Sequence, residues 1–449
     1  MNSNPLSDLS SMHLTRRGVL GIGAALGVGA AVSACGGGSS APPGAQQADI
    51  ASGAYEGPKV ELQFWNGFTG GDGAFMKKMV ENFNSEHENI AVKMNVIEWA
   101  QFYSKLPNAV ASGAGPDCAA MHVDQVGTNA ARRVIAPLGD AIQELKLEER
   151  DFNEVVWNAG LYNEERYAIP LDIHPLGFWQ NKAHVAKAGI EKAPQDMESW
   201  ESSLAALKQK AVPNPYWATA TWPGFLVWIS ALNQMGGSVY NQDATEATFA
   251  SKEGVEALEW YKSHIDKGFS PKNVASDADF SGFQQQRSSY VIDGIWRMNN
   301  WAEVKGLEWS AAPVPTWFDK PAVWASSHQL VMMQQKNPDE NKLHATRDFL
   351  AYLSENSIEW AKAGQIPARN SVRESQDFQA LEVQSTLAKQ TDHVVFAPTV
   401  AGIGDVPVPT YEAAFNTTIL GKTDAKSALQ AAQKKANQIL KDNRDKYSA

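Results

Sequence analysis

Two acidic residues, a handful of histidines and a large number of tryptophans carry most of the chemistry this chain could perform. Asp124 and Asp172 are of the right type for a general acid and base pair, but cleaving a glycosidic bond requires a fixed separation that sequence does not supply. No Gly-x-Ser-x-Gly elbow, no HExxH helix and no complete Gly-x4-Gly-Lys-Thr phosphate loop occurs. The nine histidines are spread along the chain without the spacing of a metal site, so neither metal nor cofactor is expected. Recognition is therefore the better reading than reaction. Fifteen tryptophans each offer a broad apolar face and one polar N–H, which suits a packed core and a sugar-stacking surface equally.

The elements around these residues alternate in type. Val60 to Trp65 predicts a strand broken by the glycines after Asn66, and a helix follows with Phe75, Met79, Val80 and Phe83 on one face. Residues 90–96 predict a second strand, 102–111 a second helix, and 118–123 a third strand opening at Cys118. This order predicts an α/β fold with a mostly parallel sheet. Ligand loops then lie at the carboxyl ends of the strands, which singles out Trp65, Asn66, Asp124 and Gln125. Trp65 would stack on a sugar and the Asn66 amide would face its hydroxyls; the competing reading for Trp65 is core packing, and for Asp124 a helix cap. Residues 167–172 read as a strand broken at Pro170, a crossing between lobes, with a new strand from Leu176 to Gln180. Asp172 and His174 follow that crossing and either reach a cleft or form a hydrogen-bond network at the hinge. Trp222, between Thr221 and Pro223 at a loop edge, is a stacking platform, whereas Trp228 at helical spacing reads as core.

Length and composition narrow the class. With 449 residues, 43% of them apolar, the chain has material for two or three domains. A net charge of −11 and the lack of a basic block past residue 17 exclude a nucleic-acid partner. Arg16-Arg17 precedes an uncharged run from Gly18 to Val32, the layout of a secretory signal over residues 1–34. The run ends in Val32-Ser33-Ala34-Cys35, which resembles the bacterial lipoprotein box, with Cys35 as the lipidated residue; Thr15 to Leu20 resembles the twin-arginine export pattern. Residues 35–57 are rich in Gly, Ser, Pro and Ala and predict a flexible tether. That leaves Cys118 without a partner and the fold without an intrachain disulfide.

Several stretches, in order, resemble the extracellular solute-binding proteins of sugar ABC importers. They are Phe64-Trp65-Asn66-Gly67, Gly115-Pro116-Asp117, Ala136-Pro137-Leu138, residues 167–170, residues 178–182, Asp293-Gly294-Ile295-Trp296, Ala312-Pro313-Val314-Pro315 and residues 364–369. The resemblance implies a two-lobed, periplasmic-binding-protein-like clamp of type II with three hinge crossovers. One lobe would comprise residues 58–170 and 326–368, the other 171–325 and 369–449. It further implies a monomer that closes on a di- to tetrasaccharide and delivers it to a membrane permease, lipid-anchored outside the cytoplasmic membrane, with no catalysis. Family pattern places Trp296 as a sugar platform, Asp124 as a hydroxyl acceptor, Trp324, Ser326 and His328 near the return to the first lobe, and Arg369 as a lobe bridge or ligand contact. Relatives also bind glycerol-3-phosphate or its diesters, a reading that would need Arg297 or Arg369 at the cleft.

Overall fold

Alternation starts the first sheet. Along β1 (Val60–Asn66), Leu62, Phe64 and Asn66 turn inward and are buried while Glu61 stands in solvent. The computed structural model describes residues 54–139 and 141–447. The predicted signal, the lipid attachment at Cys35 and nearly all of the tether lie outside the described residues. β2 (Ile90–Val96) and β3 (Cys118–His122) both run parallel to β1. The helix Gly73–Glu86 joins the first two and buries Met76, Met79, Val80 and Phe83. The helix Trp99–Ser112 joins the next two; it begins three residues earlier than expected because the Glu98 carboxylate accepts from the N–H groups of Ala100 and Gln101.

A small hairpin, β4 (Leu161–Tyr162) with β5 (Glu165–Arg166), precedes β6 (Ala168–Pro170), β7 (Asp172–Asn181), β8 (Tyr290–Gly294), β9 (Trp309–Ala312), β10 (Val323–Ser326), β11 (His328–Met332), β12 (Ile366–Pro367) and β13 (Val394–Val395). The first sheet has the order β2-β1-β3-β11-β6, and β11 is antiparallel to both its neighbours. The expected parallel pairing thus holds for three strands and ends at β3. The second sheet runs β12-β7-β10-β13, with β8 and β9 also paired to β7. Its pairs are antiparallel except β10 with β13. The molecule is therefore an α/β, bilobed body built on two separate sheets.

The expected gap between Pro170 and Leu176 is not there: β7 is one strand of ten residues, all buried. Pro175 is tolerated inside it because the strand changes partners at that point. Residues before it pair with β12 and β10, whereas residues from Leu176 onward pair with β8 and β9. The chain passes between sheets through Leu171 and again through Ser327, and these passages lie side by side. The Leu171 N–H donates to the His328 carbonyl at 2.9 Å, and the Ala368 N–H donates to the Leu171 carbonyl at 3.1 Å. One large core joins Phe64 and Leu330 of the first sheet to Ile173, Trp179 and Val291 of the second; another gathers Trp200, Trp228, Tyr261 and Phe415 on the outer side of the second lobe. Cys118 is a buried free thiol. Among the described residues no helix is long and apolar enough to cross a membrane.

Candidate functional site

Two glycines shape the aromatic surface between the lobes. β8 ends at Gly294, where a Cβ would lie 2.0 Å from the Trp296 ring, so the indole can rest on the backbone only if that residue is glycine. Asp293 fixes the turn: its buried carboxylate accepts from the Gly294 N–H at 2.7 Å and from Arg297 Nε at 2.9 Å. Trp222 lies 5.9 Å from Trp296 between ring centres, and Trp324 lies 6.3 Å and 6.4 Å from the two. All three indoles are partly exposed. Three of the tryptophans expected from sequence therefore form one wall.

The first lobe repeats the device. After β1, Gly67 lies beneath Trp99, whose ring a Cβ would meet at 2.1 Å. Trp99 stacks on Tyr103 at 5.7 Å and on His328 at 5.8 Å, and its ring centre is 4.3 Å from that of His122. His328 stacks on His174 at 4.2 Å, and His174 meets Trp296 edge-on at 5.8 Å, so rings run continuously from one lobe to the other.

Asp172 lies beneath this line and is fully buried. One carboxylate oxygen accepts from the His328 backbone N–H at 2.9 Å and sits 3.0 Å from His174 Nδ1. The other accepts from Trp360 Nε1 at 2.6 Å and sits 2.7 Å from His328 Nδ1. Burial alone would raise this carboxyl, but His328 and His174, by charge and by hydrogen bonding, hold it well below the usual carboxylate range. Burial first, and then His328, push His174 down to about 4, and His122 is likewise held well below the ordinary histidine range. The two rings are thus neutral at pH 7, and Asp172 keeps its charge.

The remaining expected residues fall elsewhere. Trp65, partly buried, packs against a small apolar cluster that includes Phe102, Ala119 and Met121. Asn66 is buried; its side-chain oxygen accepts from the Phe68 N–H and holds the turn that carries Gly67. Asp124 and Gln125 are not in a loop but in the first turn of a helix, Val123–Ala131. Gln125 donates to Asp124 at 2.8 Å, and both border Gly404 of the second lobe. Burial raises the Asp124 carboxyl. Arg369 donates to Asp151 at 2.7 Å and lies over the Phe152 ring, ties between the 149–152 and 366–370 stretches rather than to the tryptophan wall. Arg297 is taken up by Asp293 and Asp277 and lies over Phe280.

Sequence reasoning missed Trp99, His122, Tyr103 and Trp360. Trp99 lies three residues ahead of the helix expected from residue 102; the signal that could have found it is Gly67, where the absence of a Cβ leaves room for the indole. Nor are the histidines as dispersed as their spacing suggests: one ring nitrogen from each of His122, His174 and His328 lies within 4.8 Å of the others.

A model of the bacterial extracellular solute-binding protein family matches residues 68–359. A maltodextrin-binding protein of Bacillus subtilis (strain 168) is 21% identical over 389 residues, covering 83% of this chain and 88% of the relative. The fold is shared with the GacH receptor of Streptomyces glaucescens, studied unliganded and with acarbose, at a TM-score of 0.76 and 20% identity, covering 86% of this chain and 99% of the receptor. UgpB from Mycobacterium tuberculosis, in complex with glycerophosphocholine, superposes at a TM-score of 0.75 and 19% identity, covering 86% and 99%.

Proposed function

Since this chain belongs to the bacterial extracellular solute-binding proteins, we propose that it captures an oligosaccharide between its lobes and delivers it to the permease of an ABC importer. The observation that carries this reading is the wall of partly exposed indoles, Trp222, Trp296 and Trp324. Such faces match the C–H faces of pyranose rings, and polar groups opposite them bind hydroxyls. His174, edge-on to Trp296, and His122 would supply that polar side with Asp124 and Gln125 as further hydroxyl partners, and Asp172 positions the imidazoles of His174 and His328.

The clamp would divide as residues 58–170 with 326–368 and 171–325 with 369–449, hinged at three adjacent crossovers near 171, 327 and 368. Ligand contacts made to both lobes would then favour the closed form. The protein acts as a monomer without a catalytic step, anchored on the outer face of the cytoplasmic membrane through lipid on Cys35. With Cys35→Ser, fractionation should find the protein soluble or as uncleaved precursor; normal processing and membrane retention would refute the anchor.

A glycerophosphodiester is the rival ligand. It needs a cation at the cleft, and the two arginines considered for that part are consumed by Asp293 with Asp277 and by Asp151. Tryptophan fluorescence of the purified protein, titrated with maltodextrins, other oligosaccharides and glycerophosphocholine, decides the matter. Saturation with one sugar series is expected; a response to the phosphodiester alone would overturn the sugar reading.

A further inference from the structure

Three imidazoles converge on one point where the sheets meet. His122 ends β3, His328 begins β11 and His174 lies in β7, so two come from the first sheet and one from the second. A sugar needs hydroxyl acceptors and donors, and it makes no demand for three imidazoles packed together, two of them stacked and sharing one carboxylate. We propose that His122, His174 and His328 bind one divalent first-row transition ion of the zinc, cobalt or nickel kind at the seam between the lobes.

The way the rings are held supports this. The Nδ1 atoms of His174 and His328 both face oxygens of Asp172, which is an acceptor only, so each carries its proton there and leaves the Nε2 lone pair free. Ligand histidines at metal centres are commonly oriented by a carboxylate in this manner. Nδ1 of His122 is 2.8 Å from Tyr103 Oη, which also accepts from the His122 backbone N–H at 2.8 Å; that oxygen has lone pairs for both. One ring nitrogen from each of the three histidines lies within 4.8 Å of the other two. A tetrahedral ion with bonds of about 2.0–2.1 Å holds its ligand nitrogens roughly 3.3 Å apart, so modest ring rotations close the set. An all-imidazole set selects zinc, nickel, cobalt or copper over magnesium and calcium, which prefer oxygen. The Asp172 charge offsets part of the ion's charge without occupying a coordination position. Since His122 is partly exposed, the remaining position opens toward the cleft, where water or a polar atom of the bound solute completes it.

The test is calorimetric titration of chelator-treated, purified protein with Zn2+, and with Co2+ followed by its visible absorption. One equivalent should bind, and Co2+ should give the intense bands of a nitrogen-bound tetrahedral ion. His122→Gln, His174→Gln and His328→Gln should each weaken binding at least tenfold, and Asp172→Asn, which keeps the shape of the positioning residue, about 10- to 100-fold. His393→Ala, at an exposed histidine outside the cluster, should change nothing. Circular dichroism of each variant separates lost binding from lost fold. Absence of a one-equivalent site in the parent protein, or binding that survives all three folded glutamine variants, would overturn the proposal. The outcome does not depend on which solute the cleft captures.

Discussion

Trp99 and Trp296 are the same construction in two lobes: a glycine at a strand end, with an indole laid over it. Their surroundings differ. Trp296 is joined by Trp222 and Trp324, each an indole with a single polar N–H. Trp99 is joined by Tyr103, His122 and His328, rings that carry donors and acceptors. One support geometry thus yields an apolar wall in the second lobe and a polar wall in the first. The glycine fixes where an aromatic ring lies, and its neighbours decide what that ring recognises.

The contrast can be broken from either side. The largest effect is expected at the support of the polar wall. Asp172→Ala leaves Trp360 Nε1, the His328 N–H and two imidazoles without their acceptor, and denaturant unfolding should show a loss of about 3–5 kcal/mol. Next comes the apolar wall. Trp296→Ala should weaken sugar binding more than tenfold, at least about 1.4 kcal/mol, with the fold retained. Gly294→Ala should approach that loss, because the added methyl displaces the indole without removing it. If Gly294→Ala binds normally, the glycine does not set the platform. Trp99→Ala should cost less, about threefold, since its neighbours keep their hydrogen bonds; an equal loss at both tryptophans would erase the distinction between the walls.

A separate effect, on stability and not on binding, concerns acid. His264, buried within the second lobe, donates nothing to solvent: Nε2 accepts from Trp200 Nε1 at 3.0 Å, and Nδ1 lies 3.0 Å from the Tyr261 carbonyl. Burial holds it down at about 4, against about 6.5 when unfolded. The unfolded chain therefore takes up a proton that the folded one refuses. Its contribution is full above about pH 6.5, declines by at most about 1.4 kcal/mol per pH unit toward pH 4, and levels off below. In thermal melts, His264→Gln should make that decline shallower.

Sequence made the first three strands and their helices legible because their apolar residues keep strict periods, as Leu62 and Phe64 do in β1 and Met76, Met79, Val80 and Phe83 do in the following helix. It also named three tryptophans that prove to be neighbours, through their loop positions and the Asp-Gly-x-Trp pattern. It could not show β7 as one strand, because Pro175 reads as a breaker unless the change of partners is known. The histidine cluster was hidden for a related reason. Its members belong to strands distant in the chain and adjacent only in space, so no local spacing announces them. Asp124 and Gln125 were found at the right strand end, but the helix begins one residue sooner than the rule of strand termini assumes.

The position of β11 governs the order in which the molecule can be assembled. It lies between β3 and β6, and within the first sheet β6 has no other neighbour. Residues 172–326, the greater part of the second lobe, must therefore leave the ribosome before the strand that completes the first lobe exists. Until then the nascent chain carries an open sheet edge along β3 and a strand at β6 with nothing to pair with, so the first sheet cannot close before β11 has emerged. A fragment ending before residue 328 should be a substrate for chaperones rather than a miniature of the protein.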